Sequence, residues 1–242
     1  MLTASNLNFK FSLINNILFP LLIVLFRYFP STADFSYVIL AVYALFGRQQ
    51  IIVALFLLWL FSMLNPQIVP ITNNSSFSKY ITILTCFLSI LFRLNFAKID
   101  KITIFTLGFG FFLIVHGYFF SQVPSISILK ALNWTVIIII LLLTWNEMNS
   151  SEYERTKNLI TNFLLIIILI SLVLLLFSHL GYEVNSRYFH GILNHPQAFG
   201  LTVASLTILL LVQLFSHNRF KLFLLIYILI CILLVLVSGS RT

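Results

Sequence analysis

Leu164 to Phe177 reads LLIIILISLVLLLF, a run with a single polar side chain and no charge. Its apolar residues are continuous and do not alternate with a period of two, which excludes a half-buried strand or a wall of a membrane barrel. The same holds for Ile137–Leu143 (IIIILLL) and for further runs along the chain. Of 242 residues, 60% are hydrophobic and 8% are charged; the mean hydropathy is +1.07. Soluble domains carry about 25% charged residues, so a water-soluble fold is excluded. A bilayer core about 30 Å thick needs about 20 apolar residues per helix. At that depth no water serves the backbone, so each span must satisfy its own N–H and C=O groups as a helix. The expected fold class is all-α: a polytopic transmembrane helical protein, with 1–242 forming one integral-membrane domain.

About nine spans are expected. They lie near Leu13–Phe29, Ala33–Phe46, Ile51–Leu64, Tyr80–Phe92, Ile102–Phe120, a segment ending at Trp145, Leu159–Phe177, Ala198–Phe215 and Leu222–Val237. The second and third are short and separated by Gly47-Arg48-Gln49-Gln50, so the sequence leaves open whether both cross or re-enter. Pro124–Lys130 reads as a short interfacial helix feeding the sixth span. Asn146–Asn158 reads as the most charged loop, and Gly108 and Gly110 as points of close helix approach.

The formal charge is +8. The basic residues stand singly between apolar runs and form no stripe, which argues against nucleic acid. With the N-terminus inside, the inner segments hold nine basic residues (Lys10, Arg48, Arg93, Lys98, Lys101, Arg155, Lys157, Arg219 and Lys221). The outer segments hold five (Arg27, Lys79, Lys130, Arg187 and Arg241). That asymmetry favours a cytoplasmic N-terminus. Cys86 and Cys231 sit alone in apolar runs, with no metal-ligand spacing, and no metal or cofactor is called for.

Chemistry concentrates in two places, Arg187–Gly200 (RYFHGILNHPQAFG) and Ser238–Thr242 (SGSRT). The last two spans form a hairpin, which brings the start of one and the end of the other to the same outer face. Asn194-His195-Pro196 reads as a capped helix start, since proline suits the first helical position and asparagine caps well. Free N–H groups at a helix start bind anions, and arginine forks grip phosphate bidentately. Arg187 and Arg241 are therefore the phosphate-binding candidates, with Lys130, His190 and Asn194 beside them and His195 as the catalytic candidate. Each also has an ordinary reading. Arg187 could be a headgroup-level side chain, Arg241 a stop-transfer flank, Lys130 an interfacial anchor, His190 a solvated loop residue, Asn194 a cap, and His195 a capping or packing residue.

At these positions the chain resembles the O-antigen ligase and polymerase superfamily of bacterial membrane proteins. In that family an arginine precedes a Gly-x-x-x-(His/Asn)-Pro-(Asn/Gln) element opening a transmembrane helix, and the next helix ends in Ser-Arg and a small residue. The matching residues are Arg187, Gly191-Ile192-Leu193-Asn194-His195-Pro196-Gln197 and Ser240-Arg241-Thr242. The motif covers the last quarter of the chain. The resemblance implies a GT-C-like, metal-independent and cofactor-free glycosyltransferase at the outer face of the bacterial inner membrane. It would move a glycan from an undecaprenyl-pyrophosphate carrier to lipid A–core or to a growing polysaccharide, with Arg187 and Arg241 on the pyrophosphate. Family members continue past Ser-Arg with more spans and a large outer loop that supplies a catalytic histidine or acid. The expectation is thus the N-terminal portion of the fold, with part of the active site. Two other classes stand beside it: a transporter or flippase for lipid-linked saccharides, and a structural partner of glycan-assembly membrane proteins. A flippase is expected to line an interior path with ionisable groups; here the basic residues gather at one face.

Overall fold

The computed structural model describes residues 19–69, 75–93, 99–183, 188–216 and 221–239. They are helical, with no strand among them beyond two isolated bridges. The helices are α1 (Phe19–Tyr28), α2 (Ala33–Ala44), α3 (Arg48–Met63), α4 (Ser75–Leu91), α5 (Lys101–Phe120), α6 (Pro124–Glu147), α7 (Ser150–Leu174), the short α8 (Ser178–Gly181), α9 (Pro196–Ser216) and α10 (Lys221–Ser238). Each of the nine expected segments corresponds to an apolar helix, although residues 13–18 of the first lie outside the described residues. Among the described residues, four helices are long and apolar enough to cross a membrane: α5, α6, α7 and α9. Large apolar side chains such as Phe105, Phe111, Phe119 and Phe120 stand exposed. Water would penalise that surface; lipid would not.

Two compact units divide the chain, Met1–Leu58 with Thr72–Thr156, and Trp59–Ile71 with Lys157–Thr242. In the first unit, α2 and α4 run parallel. Thr82 donates its hydroxyl to the Tyr37 carbonyl (3.1 Å), and Ser89 donates to that of Ala44 (2.9 Å), at a constant offset along both helices. Arg93 completes the series on the Leu45 carbonyl. A polar group in an apolar interior is costly unless paired, so these hydroxyls fix the register. Gly47-Arg48-Gln49-Gln50 is not the separating loop expected from sequence, because Arg48 already opens α3. There Arg48 donates to the Glu147 carboxylate (3.0 Å) and carbonyl (2.9 Å), tying the start of α3 to the end of α6. The carboxylate is buried, with its side chain 5% exposed, and only a matched cation makes such burial tolerable.

Helices α5 and α6 pack as a hairpin. Asp100 caps α5, accepting from the Thr103 N–H (2.9 Å) and hydroxyl (2.6 Å), and these bonds hold its carboxyl below the usual pKa. A Cβ at Gly110 would collide with Thr135, and one at Gly117 would come within 3.3 Å of Ser127. Gly110 is thus a point of close approach, as expected. Gly108 is not, since a Cβ there meets nothing within 4 Å. The separate interfacial helix expected at Pro124–Lys130 is absorbed into one continuous α6, with Pro124 in its first turn. The charged loop also ends earlier than expected. Asn149 opens α7 with its N–H on the Glu152 carboxylate (3.1 Å) and its carbonyl accepting from the Tyr153 N–H. A side chain at the third helical position reaching back to the cap backbone is one half of a capping box. Most of the charges of that segment therefore ride on a helix.

Candidate functional site

The second unit builds its site on the end of α3. Asn194 donates its backbone N–H to the Met63 carbonyl (2.7 Å), and Asn65 donates its own to Ile192 (2.9 Å). The two N–H groups flank the antiparallel bridge between Leu64 and Leu193. The buried Asn65 side chain donates to the Leu180 carbonyl (2.9 Å) and accepts from the Gln67 N–H (2.9 Å). Asn65 therefore pins the 180–194 segment at two points, its side-chain amide on Leu180 and its backbone N–H on Ile192. Beneath it, Ser171, the polar residue inside the LLIIILISLVLLLF run, accepts from the Ile192 N–H (3.2 Å) while fully buried.

Gly191 has φ +57°, a left-handed conformation that costs an L side chain. Its neighbours leave no room for one, since a Cβ would come within 2.7 Å of the Ser171 Cβ and 3.0 Å of Phe199 Cε2. Above this point Tyr182, Phe189 and Phe199 form an edge-to-face series with centroids 5.2 Å apart at each step. Phe189 and Phe199 are fully buried. They fasten the loop to the first turn of α9, the geometry such ring pairs favour.

Helix α9 begins at Pro196, as the sequence predicts, but its cap is His195 rather than Asn194. The His195 carbonyl accepts from the Phe199 N–H (3.0 Å), and its ring Nδ1 accepts from that of Gln197 (3.3 Å). Asn194 stands one residue before the cap, with its backbone N–H on α3 and its amide 3.5 Å from the Ser62 carbonyl. With Nδ1 accepting, a neutral His195 ring carries its proton on Nε2. In this arrangement the exposed ring presents an Nε2–H donor. His190 departs from the solvated position expected of it. It is 5% exposed, its backbone N–H bonds the Gly181 carbonyl (2.9 Å), and its Nδ1 lies 3.1 Å from the Gly191 carbonyl.

Arg187 and Arg241 lie outside the described residues. Their described neighbours meet. Tyr182 bridges Phe189, and the Glu183 N–H bonds the Tyr188 carbonyl (3.0 Å), so a narrow hairpin base brackets the segment containing Arg187. Two residues before Arg241, Gly239 ends α10 at φ +58° with its backbone against the Tyr188 ring, where any Cβ would collide. Lys130 is exposed on α6, in the first unit. Among the described residues no cluster of histidine, cysteine or carboxylate could hold a metal.

Sequence reasoning missed Asn65 and Ser171. Asn65 sits in an Asn-Pro-Gln turn that looks like any polar loop, and a lone serine in an apolar run gives no signal of its partner. Asn65→Ala should strand the Leu180 carbonyl and the Gln67 N–H, each worth about 1–3 kcal/mol when buried and unpaired. We expect amide exchange at His190 and Gly191 to quicken at least tenfold, on the order of 1.4 kcal/mol of local opening. Unchanged exchange would remove Asn65 from the loop's anchorage.

Comparison with models of known protein families, with curated proteins and with solved structures finds no match.

Proposed function

We propose that the chain is a membrane glycosyltransferase of the O-antigen ligase and polymerase type. It acts at the outer face of the bacterial inner membrane on a glycan carried by undecaprenyl pyrophosphate, and passes it to lipid A–core or to a growing polysaccharide. Arg187 and Arg241 hold the pyrophosphate, His195 donates from Nε2 at the start of α9, and Asn194 stands beside it. Lys130, which lies on α6 in the first unit, is not part of this reading, and His190 supports the loop from within.

The observation that carries this reading is the seating of Gly239 on Tyr188. It joins the two stretches whose arginines are far apart in sequence, beside a helix start fit for an anion. The proposed orientation has separate support. Leu45, Arg48, Arg93, Asp100 and Glu147 gather at one end of the first unit through the bonds of Arg48 and Arg93 and the contact of Asp100 with Asn146. This is the alternation expected if the second and third segments both cross, with the basic residues of these loops inside.

Direct binding tests the proposal. In nanodiscs, a polyprenyl pyrophosphate should bind more tightly than the monophosphate, with an affinity that falls as salt rises. The neutral polyprenol should bind weakest. Equal affinity for all three would overturn a pyrophosphate site.

A further inference from the structure

The first unit carries a groove that the glycan-transfer reading does not use. On α4 it is lined by Tyr80, Ile83, Leu84 and Phe87, and on α6 by Leu129, Leu132, Asn133 and Val136. Both sets follow the i, i+3, i+4, i+7 spacing of one helix face. The cavity is about 320 Å³, near the low end of the roughly 300–1,000 Å³ typical of small-molecule sites. That is room for a length of one hydrocarbon chain and not for a whole lipid.

The polar groups are not scattered along it. Arg93, just past the end of α4, bonds the end of α2, and Arg48, three residues beyond Leu45, bonds the end of α6. Helices α4 and α6 therefore point the same way. Each carries a single lysine, Lys79 or Lys130, and both lysines lie beside the first residue of the lining stripe. One end of the groove thus has a lysine at the flank of each stripe, with Arg27 near Lys79, and the lining is apolar apart from the Asn133 amide and Tyr80. Asn133 is one turn below Lys130, about 4.5 Å further along the axis. That step matches the descent in a glycerophospholipid from the phosphate to the ester carbonyls, which an amide can bond. A polyprenyl phosphate has no carbonyl there.

We propose that this groove holds one acyl chain of an anionic diacylglycerophospholipid, its phosphate between Lys79 and Lys130 and an ester carbonyl on Asn133. The lipid site stands whether or not the second unit binds a pyrophosphate. Its selectivity comes from charge at the rim, because apolar lining alone does not distinguish one acyl chain from another.

Native mass spectrometry of the purified protein tests it, with phosphatidylglycerol, phosphatidylethanolamine and a polyprenyl monophosphate as competing probes. One phosphatidylglycerol should remain bound in preference to phosphatidylethanolamine. The double variant Lys79→Gln, Lys130→Gln should lose roughly fivefold in preference per lysine, or about thirtyfold together. Asn133→Leu, which suits lipid and keeps the helix, should weaken phosphatidylglycerol and leave the polyprenyl monophosphate unchanged. Equal retention of the two phospholipids by the unaltered protein would overturn the site. So would retained preference in the double variant, or displacement of phosphatidylglycerol by the polyprenyl monophosphate.

Discussion

Alanine at Arg187 or at Arg241 is expected to lower glycan transfer roughly a hundredfold or more, the cost of removing one preorganised donor from a developing anion. The amount of protein inserted in the membrane should not change. The physical reason lies in the leaving group. As the sugar departs, negative charge grows on the pyrophosphate, and a cation fixed beforehand stabilises that charge more than it stabilises the bound substrate. Arg187→Lys should recover only part of the loss, since an ammonium cannot reproduce the bidentate fork. The measurement is the polysaccharide ladder from cells that depend on the protein, with membrane abundance read from the same samples. Normal ladders from both alanine variants would remove the clamp.

Gly191→Ala should be the most damaging small change in the second unit. The left-handed backbone costs a Cβ-bearing residue about 1–2 kcal/mol. The overlap with Ser171 and Phe199 adds roughly 1–3 kcal/mol, as overpacking does elsewhere. For a chain of this size the sum corresponds to a fall in Tm of roughly 4–20 °C. Gly108→Ala is the control, because its Cβ would enter open space and alanine suits a helix better than glycine. A thermal scan in detergent should show a large fall for the first and almost none for the second. Equal melting of the two would mean that the loop is not held against α7 as described.

Long-range order in this protein is carried by few polar atoms, and that sets what can be read from its residues alone. Leu164–Phe177 announces a helix because hydrocarbon leaves the backbone no other way to satisfy itself. Pro196 announces the start of α9 for an equally local reason. The merging of Pro124–Lys130 into α6, and the start of α7 at Ser150, depart from the expected loops because charged and interfacial residues resemble loop while still favouring helix. Asn149 and Glu152 carry the capping signal that starts α7.

The amino-acid sequence by itself determined an apolar, helical, membrane-type chain and the two polar stretches where its chemistry is concentrated. Both are local properties, set by hydropathy and by the backbone's own hydrogen bonds. Only the tertiary structure decided that His195 and not Asn194 caps α9, that His190 is buried, and that Asn65 and Ser171 hold the loop. It alone set Gly239 against Tyr188. Such pairings depend on which carbonyl or ring another helix brings within reach, and no spacing along the chain records that.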